Sequence, residues 1–176
     1  LPDNKARRLA SQEWTTKMLD ALADFQAIAP NIFPSDISDP VFVSGLRSQL
    51  IECASHFTAA TNWVRGDEAY SALSHTNLQV DNAFFWGNEW GGLDAGLLDW
   101  YNTTRVPFAS SFLGCFSGTE PHVLESHLKG FIECFVFEYH KAGGPEISPE
   151  VLLLHFQLLF AHSLVGSLSF ITSDIY

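Results

Sequence analysis

The feature that most constrains what this chain can fold into is an uncharged segment of 21 residues, residues 151–171. A helix of that length can span a bilayer, so the segment belongs either in a membrane or in a protein core. It contains two histidines, a glutamine and three serines, and it follows Ser148-Pro149-Glu150, which is typical of the first turn of a helix in a soluble domain. We therefore predict a core helix over residues 151–170, with a membrane helix as the alternative. In the core helix, we expect contacts to the preceding helix from Leu154, Leu158, Phe160 and Leu164.

Apolar residues recur at helical spacing in three further segments. The first stripe ends before Pro30, the second follows Asp39-Pro40, and the third lies between Pro121 and Gly143-Gly144, all of which are helix-boundary signals. The stripes are Trp14, Met18, Leu22, Phe25 and Ile28; Val43, Leu46, Leu50, Cys53 and Phe57; and Leu124, Leu128, Phe131, Phe135 and Tyr139. The sequence thus predicts four helices, with a loop over residues 31–40.

Between the second and third helices, two short apolar runs flank a stretch rich in Gly and Asn. The runs are residues 83–86 and 95–98, separated by Gly87-Asn88-Glu89-Trp90-Gly91-Gly92. This pattern predicts a β-hairpin. We therefore expect a mainly α fold with helices around one small β-hairpin, forming a single domain over residues 1–176.

Composition and charge exclude some classes of function. Twenty acidic residues against nine basic ones give a net charge of −11, which disfavours binding to a nucleic-acid backbone. Only 16% of the residues are charged, whereas 15 Phe, 5 Trp and 4 Tyr contribute a large apolar surface. We expect a protein partner in a larger complex, no nucleic acid, and only indirect contact with a membrane.

The cysteines and the first residues bear on the compartment. Cys53, Cys115 and Cys134 are odd in number and lack C-x-x-C spacing, so we predict reduced, partly buried thiols and no zinc site. A reducing intracellular or organellar compartment is favoured. Residues 1–8 show no targeting pattern, and we expect the chain to be a piece of a longer precursor.

Asn82 and Asp99 flank the predicted hairpin. Because a hairpin brings its outer ends side by side, we expect these two residues to approach one another. An amide oxygen and a carboxylate are hard ligands suited to Mg²⁺. On chemistry alone, turn formation and capping are the commoner roles for such residues.

The same region resembles the C-lobe of aminoglycoside phosphotransferases and choline kinases, in the protein-kinase-like superfamily. Their catalytic loop reads H-x-D-x-x-x-x-N, and a short hairpin leads to the metal-binding Asp of an I-D-W or I-D-F motif. Here His75, Asn77 and Asn82 occupy the loop positions, and Leu97-Leu98-Asp99-Trp100 matches the second motif. The resemblance implies a kinase-like C-lobe. It makes His75 a structural brace, residue 77 the general-base position, and Asn82 and Asp99 vestigial Mg²⁺ ligands.

Two departures from this family bear on function. Residue 77 is Asn, and a carboxamide accepts no proton near neutral pH. No G-x-G-x-x-G loop or V-A-I-K-like lysine occurs, so we expect the N-lobe to be absent from this chain. We predict a non-catalytic, pseudokinase-type binding or structural subunit with no cofactor. The alternatives are an active phosphotransferase that uses ATP and Mg²⁺ on an aminoglycoside- or choline-like hydroxyl, and a helical ligand-binding domain unrelated to kinases.

Other polar residues receive structural interpretations. His155 and His162, seven positions apart in the last helix, are expected to be hydrogen-bonded core histidines rather than ligands. Arg105 is expected to pair with an acidic neighbour rather than with a phosphate. Ser110, Ser111 and Ser117 have no G-x-S-x-G context, which disfavours a serine hydrolase.

Overall fold

The structure is a computed structural model that describes residues 4–173, with side chains for residues 11–167 except Asp36, Ser38 and Asn102. Over this range the chain is mainly helical, as predicted, with six α-helices and four short strands. The helices are α1 (Asn4–Ile28), α2 (Pro40–Ala54), α3 (Phe57–Gly66), α4 (Phe108–Cys115), α5 (Pro121–Lys141) and α6 (Pro149–Ser173). The strands are β1 (Ser71–Ser74), β2 (Ala83–Gly87), β3 (Leu93–Leu97) and β4 (Thr104–Pro107).

The chain divides into two compact units. One comprises Leu1–Thr61 and Phe160–Tyr176, and the other comprises Asn62–Leu159. The assignment of residues 1–176 to a single domain stays a prediction.

The first unit is built on α1 and α2. Asp39 caps α2 by accepting a hydrogen bond from the Val41 N–H at 2.9 Å, and Pro40 is the first helical residue, as predicted. The residues of its core, drawn from four helices, are Met18, Leu19, Leu50, Ala54, Phe57 and Val165. Local capping signals therefore determine where α2 begins, and its apolar side chains hold it in place.

For several residues of the first and second predicted stripes, the prediction that they face the core is wrong. Trp14 and Ile28 are exposed, whereas Thr15 is fully buried. The second helix does not continue to Phe57, since α2 ends at Ala54 and a turn at Ser55 separates it from α3. Within α2 the adjacent residues Cys53 and Ala54 differ, since Cys53 is exposed and Ala54 is buried, and Phe57 is buried at the start of α3.

The second unit contains two antiparallel two-stranded sheets, β2 with β3 and β1 with β4. The first is the predicted hairpin, in which Ala83 pairs with Leu97 and Gly87 with Leu93. The second was not predicted, and it pairs Ser71 with Pro107 and Ser74 with Thr104. Helices α3 and α4 were also missed, because each is short and lies beside a longer predicted element.

The core of the second unit lies among α4, α5 and the first half of α6. Its largest fully buried apolar side chains include Ile132, Leu152 and Val64. Stacked and edge-on aromatic pairs link Phe112, Phe116, Phe135 and Phe156. The bounds of α5 agree with the predicted third helix.

Helix α6 begins as predicted and buries a different set of residues. Pro149 is its first residue, and the Ser148 hydroxyl accepts a hydrogen bond from the Val151 N–H at 3.2 Å. Leu152, Phe156, Leu159 and Val165 are buried, whereas Leu154, Phe160 and Leu164 of the predicted contact set are exposed. Within the described residues, only Pro149–Ser167 is a helical segment long and apolar enough to cross a membrane, with a mean hydropathy of 1.3. The side chains of residues 168–171, the last four of the predicted segment, are not among those that the structure describes.

The three cysteines are free, as predicted. All three residues are exposed, so the prediction of partial burial is wrong for Cys53 and Cys134, whereas burial raises the pKa of the Cys115 thiol, which is therefore partly buried as predicted. Cys53 and Cys134 lie on exposed faces of α2 and α5, which the sequence pattern alone did not distinguish from the buried faces.

Candidate functional site

Strands β1 and β4 bring together the two ends of a segment that holds every site residue predicted from the sequence. The predicted catalytic loop, residues 75–82, begins directly after β1, and β2 and β3 follow it. Asp99 comes after β3, and a 3₁₀ turn over Trp100–Asn102 leads into β4. Because Ser74 pairs with Thr104, the loop, the hairpin and Asp99 project from one end of this small sheet.

His75 is buried and connects three elements. Its Nδ1 accepts a hydrogen bond from the Asn77 N–H at 3.1 Å, so the ring proton is on Nε2, which donates to the Leu98 carbonyl at 2.6 Å. The Ser111 hydroxyl in α4 donates to the His75 carbonyl at 3.1 Å. The Trp100 ring packs edge-on against the imidazole, with centroids 5.0 Å apart. These contacts hold the loop against the end of β3, which is the kind of structural role proposed for His75.

Asn77 and Asn82 are joined within the loop. The Asn82 side-chain NH₂ donates to the Asn77 carbonyl at 2.9 Å. The Asn82 carbonyl accepts a hydrogen bond from the Leu98 N–H at 2.8 Å, so Asn82 lies opposite the residue before Asp99. The predicted approach of the two hairpin ends is thus present in the backbone. The Asn82 Oδ1 atom makes no hydrogen bond with the described residues.

Asp99 has the least common backbone conformation of the region. Its φ of 55° and ψ of 55° place it in the left-handed region, and no other non-glycine residue in the described range has a positive φ. Aspartate tolerates this conformation better than most residues, but it still costs on the order of 1 kcal/mol. The carboxylate is exposed and forms no ion pair or hydrogen bond with the described part of the chain. Strained residues of this kind cluster at functional sites.

The chemistry of this pair is that of an incomplete metal site. Among the described residues, no group of three or more His, Cys, Asp or Glu side chains could hold a metal ion. Asn82 and Asp99 could supply two oxygen ligands. Mg²⁺ has six, and it commonly keeps several waters and takes others from substrate phosphates. A nucleotide would therefore have to complete any Mg²⁺ site here.

Two residues that support the loop were not identified from the sequence. Ser111 donates to the His75 carbonyl, and Gly114 lies against the loop backbone, where an added Cβ would be 3.0 Å from the Leu78 nitrogen. The only sequence signal for this contact is that Ser111 and Gly114 are both small and lie three positions apart, on one face of α4. Only the position of α4 shows that they face the loop.

The hairpin carries a large exposed apolar surface, which we call the hairpin surface. Trp90 is 86% exposed and Tyr101 is 90% exposed, and the Phe84 ring stacks on Trp86 with centroids 5.1 Å apart. The Phe84 ring also covers Gly96, its partner on β3. The exposed large apolar residues that form this surface are Phe84, Phe85, Trp86, Trp90, Leu93, Leu97, Leu98, Trp100 and Tyr101.

The remaining polar predictions have mixed outcomes. Arg105 pairs with Glu68, as predicted, with Nη2 3.8 Å from Oε2. His155 is fully buried, but neither ring nitrogen has a hydrogen-bond partner, so its assignment as a hydrogen-bonded core residue is wrong. Asp67 Oδ2 is 3.8 Å from its Nε2, beyond hydrogen-bond distance. His162 is exposed, so it is not a core residue, although its ring packs edge-on against Phe57.

The environment of His155 lowers its pKa. Burial disfavours the charged imidazolium, and the negative charge of Asp67 opposes this effect only in part. The rings of Trp63 and Tyr70 pack edge-on against the imidazole at 4.5 Å and 4.9 Å between centroids. The neutral form is therefore the one that this core accommodates.

Comparison of the chain with protein-family models, with curated proteins and with solved structures gave no match. The resemblance to a phosphotransferase C-lobe thus rests on the loop and hairpin residues themselves, and it stays a prediction.

Proposed function

We propose that this chain is a non-catalytic, kinase-like domain that serves as a binding or structural subunit of a larger protein assembly. The observation that carries the proposal is the hairpin surface. In a two-stranded hairpin the side chains of β2 alternate between two faces, yet Phe84, Phe85 and Trp86 are all exposed. Each face of the hairpin therefore carries aromatic side chains that the described residues leave about half exposed. Exposed apolar patches larger than a few hundred Å² usually mark interaction sites, and aromatic residues dominate the energetics of such sites.

The charge around the hairpin specifies the kind of partner. No Lys or Arg occurs between Arg65 and Arg105, whereas Asp81, Glu89 and Asp94 lie on or beside the hairpin. A partner that fits this surface has an apolar centre and a basic rim, because rim charges steer association and set specificity. This local charge pattern, rather than the net charge of −11 alone, argues for a protein partner.

The loop supports the non-catalytic half of the proposal. The general-base position of the family is Asn77, which has no proton-accepting group near neutral pH. Loss of a general base typically lowers the rate by about 10²–10⁴-fold. The backbone of the loop is nevertheless held by His75 and Asn82. An ordered loop without a base suits a domain that retains its shape for binding.

The alternative is an active small-molecule phosphotransferase that uses ATP and Mg²⁺ on an aminoglycoside- or choline-like hydroxyl. One observation favours it. The Asn82 Oδ1 atom and the Asp99 carboxylate have no partner in the described chain, so both remain available to a Mg²⁺ ion with its nucleotide. This alternative requires catalysis without a carboxylate at position 77.

Binding can be tested by stoichiometric co-purification of the tagged chain from its native source. The double variant Phe85→Ser/Trp90→Ser removes two exposed aromatic side chains of the hairpin surface. Phe137→Ser, which removes an exposed aromatic side chain from α5, outside the hairpin surface, is the control. We expect the parent chain and the control to retain the same partner in stoichiometric amount, and the double variant to lose it. A monomeric parent chain without a stoichiometric partner would contradict the proposal.

Catalysis can be tested with the chain in its complete natural protein. Phosphotransfer from ATP to aminoglycosides and choline is compared between the parent and Asn77→Asp, with Asp99→Asn as a metal-ligand control. Turnover by the parent at about 1–100 s⁻¹, typical of kinases, and its loss in Asp99→Asn would establish the alternative. Absence of turnover in the parent, together with a stoichiometric partner, supports the binding function.

A further inference from the structure

A polar cavity lies beside β1 and β4, separate from the hairpin surface. Its volume is about 480 Å³, within the range of small-molecule sites. The residues that line it are Arg65, Gly66, Glu68, Ser71, Arg105, Val106, Pro107 and Ser110. Two of the nine basic residues of a chain with net charge −11 therefore meet at one concave site.

Two side chains of this cavity that can donate hydrogen bonds, Arg65 and Ser110, have no partner among the described residues. Arg65, in the last turn of α3, forms no ion pair or hydrogen bond with the described residues. The Ser110 hydroxyl likewise has no described partner, whereas the Ser71 hydroxyl donates to the Asp67 carbonyl at 3.2 Å. Ser110 lies in the first turn of α4, which has no side-chain cap. The N-terminus of a helix favours a negative charge, so this wall adds to the attraction of the arginines.

Arg105 has only a loose partner. Its Nη2 atom is 3.8 Å from Glu68 Oε2 and 3.4 Å from the Glu68 carbonyl. The Glu68 side chain is 84% exposed, and an ion pair this open contributes little. An anion with two or three acceptor oxygens could therefore displace the Glu68 carboxylate, which would rotate into solvent.

From these contacts we infer that the cavity binds the phosphate group of a small, polar phosphate ester. Guanidinium groups bind phosphate oxygens through paired hydrogen bonds, and two of them match the charge of a phosphate dianion. Among the described residues no aromatic side chain lines the cavity, so these residues offer no ring on which a nucleotide base could stack. The inference is independent of the proposed binding function, because none of the lining residues belongs to the hairpin surface.

The test is a calorimetric titration of the full chain with glycerol 3-phosphate at constant ionic strength, with glycerol as the uncharged comparison. We expect saturable binding at about millimolar concentration for the phosphate ester and none for glycerol. Arg65→Gln and Arg105→Gln should each weaken binding about tenfold or more. Glu68→Gln should strengthen binding severalfold, because it removes the competing carboxylate.

Arg47→Gln is the control, since Arg47 pairs with Asp20 at 2.7 Å and does not line the cavity. It should leave binding unchanged, and circular dichroism verifies that each variant is folded. The inference fails if binding of glycerol 3-phosphate does not saturate at about 10 mM. It also fails if Arg65→Gln and Arg105→Gln bind the ester as tightly as Arg47→Gln does, or if Glu68→Gln weakens binding. A phosphoserine peptide that bound tenfold more tightly would also overturn it, in favour of a peptide ligand.

Discussion

Acidification below pH 6.5 is expected to destabilise this protein through His155. The imidazole is fully buried, and neither nitrogen has a hydrogen-bond partner. Burial lowers its pKa in the folded state, while in the unfolded chain the pKa is near its ordinary value of 6.5. The unfolded state therefore binds a proton more readily. The stabilising contribution is fully present above pH 6.5 and is lost as the pH falls from 6.5 towards the lower pKa of the folded state.

The structure gives the direction of this effect, and the titration of the unfolded chain gives its upper limit. If His155 stays neutral in the folded state down to pH 5, protonation of the unfolded state lowers the free energy of unfolding by about 2 kcal/mol between pH 7.5 and pH 5. The charge of Asp67, 3.8 Å away, favours the imidazolium in the folded state and makes the loss smaller. Asp67→Asn removes that charge, so this variant should lose more stability on acidification than the parent.

The assay is urea unfolding followed by circular dichroism at pH 7.5, 6.5, 5.5 and 5.0. The comparison is between the parent and His155→Leu, which has a similar volume and no titratable group. At pH 7.5 the substitution has two opposing effects on the free energy of unfolding. It removes two unpaired ring nitrogens, which stabilises the fold, and it removes the edge-on contacts to Trp63 and Tyr70, which destabilises it. The informative quantity is the free energy of unfolding of His155→Leu minus that of the parent. This difference should increase as the pH falls, because only the parent loses stability through His155.

One control variant separates the effect of His155 from that of an exposed histidine. His122 is exposed on α5, so His122→Gln should retain the pH profile of the parent. The reasoning would be refuted if the parent and His155→Leu gave parallel profiles from pH 7.5 to 5.0. If His155→Leu did not fold, a profile of Asp67→Asn no steeper than that of the parent would refute it instead.

Three further predictions concern the core, the loop and the nucleotide. Leu152→Ala should lower the free energy of unfolding by about 2–5 kcal/mol, because Leu152 is fully buried, whereas Leu154→Ala, 44% exposed on the same helix, should cost less than about 1.5 kcal/mol in urea unfolding. Gly114→Ala should lower the free energy of unfolding by about 1–3 kcal/mol, because the added Cβ pushes on the Leu78 backbone. Gly130→Ala, in open space on α5, should raise it by about 0.5–1 kcal/mol. Equal effects of the two substitutions in urea unfolding would contradict the packing of Gly114 against the loop. Calorimetry should show no saturable binding of ATP·Mg²⁺ to this chain at sub-millimolar ATP, and micromolar affinity would contradict the incomplete metal site.

Local signals in the sequence determined where α2, α5 and α6 begin and where the hairpin lies. Asp39-Pro40 predicts the start of α2, and Ser148-Pro149 predicts the start of α6, because a cap acts within a few residues. The hairpin follows in the same way from the Gly and Asn residues between β2 and β3. The approach of Asn82 and Asp99 was predicted from the hairpin, whereas His75 and Asn77 were assigned only through the resemblance to a kinase-like catalytic loop.

Only the tertiary structure decided which faces are buried and which distant segments pair. Strands β1 and β4 are four residues each and pair across about thirty intervening positions, so neither carries a pattern strong enough to be recognised alone. Ala54 rather than Cys53 lies in the core of the first unit, and this depends on how α2 packs there rather than on its own apolar spacing. Burial of His155 without a partner depends on α3 and α6 approaching from distant parts of the sequence. Periodicity reports that a helix has an apolar face, but the neighbours that pack against it determine which residues of that face lose contact with water.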